Sequence, residues 1–475
     1  MIKKIIASAL AASMLFTNIV FAEEKNEEYD FFTTLMTYAA QLYIDEEVTS
    51  EEIIDNAVKG AIKDNPELMR ELLKAGFASL DDYSEYYTPE EFETFLNNMN
   101  HTFYGIGVYI RKMGDYIEVT NCIDGGSAIE AGIQAKDKIV RVDGVDAVRK
   151  TVDEVQNMIT GELGTEVEVT VLRDDREIVY KLERREVSAD TVSYALLKGD
   201  IAYVSIINFA EKTDAEMKKV LAELDEKGIT KIILDLRNNP GGYLVSAINI
   251  AKMIVPEGVI VKTMYRYEDQ NEVFYSSQKD VKYKFAVLVN ENTASASEVL
   301  ASAMQESGVG TLIGKTTYGK AVIQEMFRLS EGAFKITTGH YLTRNGNEIN
   351  LVGIEPDIHV VNTTQRVDMS KYTPFDYKIK WKVGDNHDSV KAAKERLWGL
   401  GFYSGEINTE FDTGLEKAVT EFQAAMELYP YGVLDISTQV RIENEFYHTE
   451  ELVDRQFDTA YEFFGGNPED IEEEV

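Results

Sequence analysis

The spacing of hydrophobic residues changes along the chain. Between residues 23 and 98, apolar side chains recur every three or four positions, the spacing expected on one face of a helix. They are Phe31, Leu35, Tyr38, Ala39 and Leu42, and then Val58, Ile62, Leu68 and Leu72. Thr88 and Pro89, followed by two glutamates, are typical of a helix start. This region is therefore predicted to be helical.

From residue 99 to residue 187 the hydrophobic period shortens to two. Apolar and polar residues alternate, and glycine and aspartate separate the runs, as in a set of short strands. The alternating residues are Ile106, Val108 and Ile110, then Ile117 and Val119, then Ile139, Val140 and Val142, and then Val167, Val169 and Val171. The pattern predicts a small β-rich domain.

Residues 188–365 combine both patterns, since short apolar runs alternate with amphipathic stretches. Strands are predicted at residues 201–206, 232–236 and 285–289, and helices at residues 213–227, 247–254 and 298–305. Alternation of this kind is typical of an α/β core.

Three further segments complete the chain. Residues 366–380 are predicted to be a linker, residues 381–447 a small helical domain, and residues 448–475 an acidic tail in solvent. The predicted fold class is a multidomain α/β protein with a helical region, a β-rich domain, an α/β core and a small helical C-terminal domain.

The first residues have the features of an export signal. Lys3 and Lys4 precede an apolar run at residues 5–21, and the segment ends at Ala22 before an acidic stretch. A basic start, a short apolar stretch and a small residue at the end predict a secretory signal at residues 1–22, cleaved after Ala22. The alternative is an uncleaved anchor helix. In both cases we expect the remainder to lie outside the cytoplasm of a bacterium, as a secreted, cell-wall or membrane-anchored protein.

Composition excludes several kinds of site. The 475 residues contain 83 acidic and 48 basic side chains, a formal charge of −35, which repels nucleic acid. With Cys122 as the only cysteine, no disulfide can form within the chain. The five histidines are scattered, so a Cys/His zinc site is not expected. No metal and no cofactor are predicted.

Ser295 stands between a predicted buried strand and a predicted helix. Ser295 and Glu298 fit a helix capping box, which is a purely structural interpretation. The alternative is a nucleophile, because a helix N-terminus offers free N–H groups, such as that of Ala296, to an oxyanion.

A serine nucleophile needs a base, and no histidine lies in a suitable motif. Lys320 has apolar neighbours, and burial would lower the pKa of a lysine toward neutrality. On a strand, Gln324 would lie on the same face, where it could orient Lys320. The alternative for Lys320 is a surface lysine on a strand.

A buried strand runs into the Gly241-Gly242 turn. Such a turn exposes N–H groups that suit an oxyanion hole or a phosphate, although no Walker lysine or G-x-G-x-x-G spacing follows. An ordinary strand-to-helix turn is the alternative.

Together these segments resemble the carboxyl-terminal processing protease family, S41-type serine/lysine peptidases with an embedded PDZ domain. Residues 234–242 resemble the family's D-L-R-x-N-x-G-G, residues 293–298 its S-A-S-A-S-E, residues 319–324 its G-K-G-x-x-Q, and residues 353–357 its G-I-x-P-D. Thr293 replaces the first serine of this pattern, and Ala321 replaces a glycine.

The resemblance implies a role for each matching residue. Ser295 would be the nucleophile, with Ser297 as the alternative, Lys320 the general base and Gln324 its orienting partner. Gly241 and Ala296 would supply the oxyanion-hole N–H groups.

Residues 99–187 resemble the PDZ domain. Its carboxylate-binding loop is matched by Tyr104, Gly105, Ile106, Gly107 and Val108. Glycines there let N–H groups surround a terminal carboxylate, and the following strand can pair with a peptide. Ala128 replaces the usual proline of a later motif, and Lys136 replaces a glycine. A generic β domain is the alternative.

Residues 381–447 resemble a three-helix peptidoglycan-binding module, carried by Leu397, Leu400, Phe422 and Leu434. Where the family has I-D-G-x-F-G, residues 407–412 read I-N-T-E-F-D. A helical bundle that binds nothing is therefore the alternative.

The resulting hypothesis is an exported serine endopeptidase. We expect it to act on protein or peptide substrates with accessible C-termini, with peptidoglycan as a further partner and the PDZ domain as a substrate reader or gate, inhibitory at rest. A homodimer through the N-terminal helices is left open. The rival hypotheses are a catalytically weak PDZ adaptor anchored at the cell wall, and an esterase or apolar-ligand carrier on the same core.

Overall fold

The computed structural model describes residues 33–35, 37, 49–63, 65–174 and 176–470. The predicted signal at residues 1–22 lies outside these ranges. Within them, no helix combines the length and the apolar character that a membrane span needs. The chain divides into two compact units, residues 1–86 and residues 87–475.

The first unit contains the described helices α1 (Ser50–Ile62) and α2 (Pro66–Ala78). The side chains of Thr49 and Asn65 cap them by accepting hydrogen bonds from N–H groups of the first turns. Neither helix has a buried residue. The helical prediction is confirmed at residues 50–62 and 66–78. The part of it that rests on Phe31, Tyr38, Ala39 and Leu42 lies outside the described residues.

The second unit opens with a short helix. A strand, β1 (Glu85–Tyr87), lies at the boundary between the units, and α3 (Pro89–Met99) follows it. Thr88 caps α3, and the Glu91 carboxylate accepts a hydrogen bond from the Thr88 N–H in return. The helix start predicted at Thr88 and Pro89 is confirmed.

The β-rich domain is confirmed as one antiparallel sheet with two short helices and a separate two-stranded ribbon. Its elements are β2 (Thr102–Gly105), β3 (Val108–Met113), β4 (Tyr116–Cys122), α4 (Ser127–Ala131), β5 (Lys138–Val142), β6 (Val145–Asp146), α5 (Val152–Ile159), β7 (Glu166–Arg173), β8 (Arg176–Glu183) and β9 (Arg185–Ser188).

The sheet order is β3-β4-β5-β7-β8, with β6 paired to β5. The alternating apolar residues of the sequence face one core, among them Ile117, Ile139 and Val169. Strand β3 is therefore an edge strand with one side open to pairing. Strand β2, at the start of the domain, pairs with strand β9, at its end, and together they form the two-stranded ribbon.

The α/β core contains a mostly parallel sheet and a second, antiparallel sheet. Its elements are β10 (Val192–Leu197), β11 (Ile201–Ile206), α6 (Thr213–Glu226), β12 (Lys231–Asp235), α7 (Leu244–Ile254), β13 (Gly258–Tyr265), β14 (Glu272–Ser276), β15 (Lys284–Val289), α8 (Ala296–Glu306), β16 (Gly310–Gly314), β17 (Val322–Leu329), β18 (Gly332–Leu342) and β19 (Ile358–His359).

The main sheet has the order β10-β11-β12-β15-β16-β19, with β10 antiparallel and the others parallel. Its strands are apolar on both faces, as in sheets covered by helices on both sides. Val204, Leu234 and Val287 share a core with residues of α6, α7 and α8. In the antiparallel sheet, β18 pairs with both β13 and β17, and β14 pairs with β13.

The last part of the chain adds β20 (Thr363–Arg366), α9 (Asp388–Gly399), α10 (Thr413–Ala425), α11 (Ile436–Tyr447), β21 (Glu450–Val453) and α12 (Arg455–Phe463). The three helices α9 to α11 form their own core, as expected for the small helical domain. Strands β20 and β21 pair antiparallel, so the helical domain is an insertion between two paired strands. The Ser404 hydroxyl donates to the Gly114 carbonyl of the β-rich domain at 3.2 Å.

The segments predicted as a linker and as a solvent-exposed tail both contain buried residues in the structure. In the segment predicted as a linker, Phe375 is buried in the core of the helical domain. In the segment predicted as an acidic tail, Ala460 and Tyr461 of α12 are buried against the uncovered face of the main sheet. The acidic composition of this segment made its short apolar stripe hard to recognise. In the structure the stripe packs on the apolar face of the main sheet, which would otherwise be exposed to solvent.

Candidate active site

The site lies where two neighbouring parallel strands end. Strands β12 and β15 pair in register, so the loops that follow them leave the sheet side by side. The Ala294 N–H donates to the Asn239 carbonyl at 3.0 Å, and the Thr293 hydroxyl donates to the Leu236 carbonyl at 2.8 Å. These bonds join the Gly-Gly loop to the serine loop. Threonine at position 293 keeps the hydroxyl that this contact needs.

Ser295 has a strained backbone. Its φ of 56° and ψ of −118° are rare for a residue with a side chain, and the helix α8 starts directly after it. Strain of this kind clusters at functional sites. The neighbouring Ser297 is fully buried, and its hydroxyl donates to the Asn239 carbonyl at 3.0 Å.

Gly241 makes a close approach to the serine loop that no other residue could make. Its φ is +104°, and a Cβ at this position would lie 2.8 Å from the Ser295 Cβ and 3.0 Å from the Ala296 nitrogen. Among the described residues, no hydrogen bond of the Ala296 N–H is found, whereas the Gly241 N–H donates to the Asn239 Oδ1 at 2.9 Å. Of the two predicted oxyanion donors, the Gly241 N–H thus already makes a hydrogen bond within its own loop, whereas the Ala296 N–H does not.

Lys320 and Gln324 lie near each other, although not as the sequence predicts. Lys320 precedes β17 rather than lying on it, and the pairing of β17 with β18 shifts between Ile323 and Gln324. The expectation of two residues on one face of a regular strand is therefore wrong. The Gln324 Nε2 donates to the Thr337 hydroxyl at 3.1 Å, which fixes the orientation of the amide.

The Glu298 carboxylate is buried between the serine loop and the segment before β17. Its Oε2 accepts hydrogen bonds from the N–H groups of Ser295 at 2.9 Å and Lys320 at 2.8 Å. Its Oε1 accepts from the Thr317 hydroxyl at 2.6 Å and the Gly319 N–H at 2.7 Å. Burial raises the pKa of Glu298, and these hydrogen bonds oppose the rise. The sequence indicated only the capping role of this residue.

Ser295, Lys320, Gln324 and Gly241 all line one cavity of about 430 Å³. The polar residues share it with apolar ones, which are Phe95, Met99, Leu244, Val322, Ile323 and Met326. In the described ranges, no group of three or more His, Cys, Asp and Glu side chains is arranged to hold a metal ion. A polar cluster beside apolar walls suits a peptide whose side chains are buried while its backbone is attacked.

A second groove of about 220 Å³ lies in the β-rich domain. It is lined by Ile106, Gly107 and Val108 of the predicted carboxylate-binding loop and by Val152 and Ile159 of α5. Since β3 is an edge strand, a peptide in this groove could extend the sheet. Tyr104 and Gly105 belong to the ribbon strand β2 rather than to the groove lining.

Three family models match the chain: Peptidase family S41 at residues 200–360, PDZ domain at residues 96–172 and putative peptidoglycan binding domain at residues 386–442. The resemblance stated from the motifs is confirmed. A probable CtpA-like serine protease of Staphylococcus aureus (strain N315) is 32% identical over 445 residues, which cover 89% of this chain and 87% of that protein. A protein of the same description from Staphylococcus haemolyticus (strain JCSC1435) is 33% identical over 362 residues, covering 75% and 72%.

Among solved structures, a photosystem II D1 C-terminal processing protease is 26% identical, with a TM-score of 0.40, and the match covers 70% of this chain and 92% of that one. The assignment rests on the sequence relatives, whose identity with this chain extends over most of both proteins. The chain therefore belongs to the S41 family of serine peptidases, in the CtpA-like group of C-terminal processing proteases.

Proposed function

We propose that the chain is an exported endopeptidase that cleaves proteins by a serine/lysine mechanism. The Ser295 Oγ attacks the scissile carbonyl carbon while the neutral Lys320 Nζ takes its proton. The oxyanion accepts from the Ala296 N–H and from that of Gly241. Collapse of the tetrahedral intermediate expels the amine, which takes the proton from Lys320. Water then hydrolyses the acyl-enzyme, with Lys320 accepting a proton from the water and returning one to Ser295.

The observation that carries this proposal is the single cavity shared by Ser295, Lys320, Gln324 and Gly241. Ser297, the alternative nucleophile, is fully buried and already donates its proton to a carbonyl. With the Gln324 Nε2 held by Thr337, Oε1 is the atom left to accept a hydrogen bond from the lysine. Gly241 serves as an oxyanion donor when its N–H turns from Asn239 toward the substrate.

The PDZ domain is proposed to read substrate C-termini and to gate the site. The groove beside the edge strand β3 supports the first role. The second is supported by Met99, which lines the catalytic cavity three residues before the ribbon strand β2 begins. The Met99 carbonyl also accepts a hydrogen bond from the Asn208 Nδ2 at 2.9 Å, and Asn208 lines the same cavity. A movement of the ribbon would therefore reach the cavity wall directly.

Export is proposed from the signal-like residues 1–22, and the match to a peptidoglycan-binding family supports a location in the cell envelope. The helical insertion would then hold the peptidase near the cell wall. Its core residues Leu397, Phe422 and Leu434 are buried, as a folded binding module requires.

The test is peptide cleavage by Ser295→Ala beside Ser297→Ala. Ser295→Ala is expected to abolish hydrolysis of casein and of a peptide while the protein stays folded, as judged by circular dichroism. Ser297→Ala is expected to keep substantial activity. Wild-type protein that binds C-terminal peptides without cleaving either substrate would favour the adaptor hypothesis.

A further inference from the structure

Tyr341 lies on β18 with only 2% of its surface exposed, and it lines the catalytic cavity. Its hydroxyl lies 2.9 Å from the Ser295 carbonyl oxygen and 2.6 Å from the Lys320 carbonyl oxygen. A single phenol thus contacts the backbone of both the proposed nucleophile and the proposed base. No motif in the sequence indicated this residue.

The Ser295 carbonyl belongs to the same peptide group as the Ala296 N–H. Because a peptide group is planar and trans, fixing its oxygen on one side aims its N–H to the other. The Ser295 oxygen also accepts from the N–H groups of Glu298 at 2.8 Å and Val299 at 3.1 Å. Hydrogen bonds to a carbonyl polarise the peptide group and strengthen its N–H as a donor. Tyr341 therefore contacts the peptide group that is proposed to hold the oxyanion.

The contacts of Tyr341 match those of Glu298 on the same two residues. The Glu298 Oε2 accepts from the N–H groups of Ser295 and Lys320, and the Tyr341 hydroxyl lies between their two carbonyl oxygens, which share its single proton. Burial beside the Glu298 carboxylate raises the pKa of Tyr341 well above its ordinary value. The phenol therefore stays protonated at neutral pH and remains a hydrogen-bond donor.

We propose that Tyr341 is a positioning residue that, together with Glu298, sets the distance between Ser295 and Lys320 and the direction of the Ala296 N–H. This inference rests on the proposed serine/lysine mechanism. Tyr341 touches no substrate atom in this role. Its loss should therefore act on the rate of the chemical step and leave substrate binding unchanged.

The experiment is Tyr341→Phe, which removes one oxygen from a buried site. We expect kcat to fall about 10–100-fold, because small misplacements of reacting groups are costly, while KM changes less than about twofold. The matched control is Tyr283→Phe. Tyr283 is also buried and its hydroxyl donates to Asp225, but it is not among the residues that line the catalytic cavity. The control should lose a similar amount of Tm without losing kcat.

A rescue variant separates positioning from packing. Replacing Tyr341 with p-aminophenylalanine keeps an N–H donor at the position of the hydroxyl, and should restore kcat to within about fivefold of the wild type if the hydrogen bond matters. If Tyr341→Phe does not fold, the rescue variant is compared with p-methylphenylalanine at position 341, which fills the same volume without a donor, and a packing role predicts equal kcat for the two. Wild-type kcat in Tyr341→Phe, or a drop that the donor does not rescue, would overturn the inference.

Ser295→Ala is measured in parallel. If it is inactive while Tyr341→Phe is fully active, only the inference on Tyr341 falls. If Ser295→Ala retains activity, the proposed mechanism falls and the inference falls with it.

Discussion

The Gly241 N–H donates to the Oδ1 of Asn239 at 2.9 Å, within the loop that faces the serine. The Asn239 Nδ2 in turn donates to the Ile206 carbonyl at 2.7 Å, and the Asn239 carbonyl accepts from Ala294 and Ser297. One fully buried asparagine thus ties together the Gly-Gly loop, the strand β11 and the serine loop. It also competes with an oxyanion for the Gly241 N–H.

Replacing this asparagine by alanine should destabilise the fold and slow catalysis. Asn239→Ala leaves the buried Ile206 carbonyl without its donor, which costs about 1–3 kcal/mol of unfolding free energy. It also frees the Gly241 loop, so kcat should fall on the order of 10²-fold. Urea unfolding and peptide cleavage measure the two effects.

Asn292→Ala is the control for Asn239→Ala, because it removes an exposed amide contact to Asn238 in the adjoining loop. Asn292→Ala should change neither the free energy of unfolding nor kcat much. A rise of kcat in Asn239→Ala would show that the asparagine mainly occupies the oxyanion donor, contrary to this expectation.

Lys320→Arg should be inactive. Arginine keeps the positive charge but cannot lose its proton at the pH of the reaction, so it cannot act as a base. Loss of a general base costs on the order of 10²–10⁴-fold in kcat. The matched control is Lys315→Arg, at a partly exposed lysine that pairs with Glu291 at 2.5 Å. Full cleavage by Lys320→Arg would exclude a serine/lysine mechanism, and addition of EDTA should have no effect on the wild type.

A substrate with an amidated C-terminus should be cleaved more slowly than the same peptide with a free carboxylate. Charge-assisted hydrogen bonds to the loop before β3 would be lost, which corresponds to roughly 10–100-fold in kcat/KM. Gly107→Ala is the diagnostic variant, because Gly107 has a φ of +77° and a Cβ there would lie 2.8 Å from the Gly126 Cα. In this variant the two peptides should be cleaved at similar rates. Equal rates in the wild type would mean that the groove does not read the carboxylate.

The contact between Arg237 and Asp454 should make stability depend on pH. Burial tends to raise the pKa of Asp454, but the hydrogen bond and charge of Arg237 outweigh it and hold the pKa below its ordinary value. A carboxyl with a lowered pKa adds stability above the unfolded value of about 3.9, and this stability is lost as the pH falls through the lower folded value.

Asp454→Asn should therefore lower Tm by a few degrees at pH 7, and the difference from the wild type should shrink below about pH 4. Asp200→Asn removes an exposed carboxylate as a control, and should have little effect at either pH. If the difference in Tm between Asp454→Asn and the wild type is as large below pH 4 as at pH 7, the ion pair between Arg237 and Asp454 does not stabilise the attachment of α12.

The local features of this protein follow from its sequence. The strand β11 and the helix α6 were predicted within a residue of their observed ends, because the hydrophobic period and a terminating glycine, Gly228, act over neighbouring positions. Ser295, Lys320 and Gln324 could be named because four motifs occur in order, and the structure brings all three to one cavity.

The residues that hold this site together were not predictable in the same way. Tyr341 lies 46 positions from Ser295 and 21 from Lys320, and Asn239 meets Ser297 across 58 positions. Likewise, the apolar stripe of α12 is too short to be recognised within an acidic segment. Its packing against the main sheet becomes apparent only in the tertiary structure. The chain specifies which segments become strands, but the pairing of β12 with β15 and of β17 with β18 decides which distant side chains meet, because those contacts exist only after the sheets have formed.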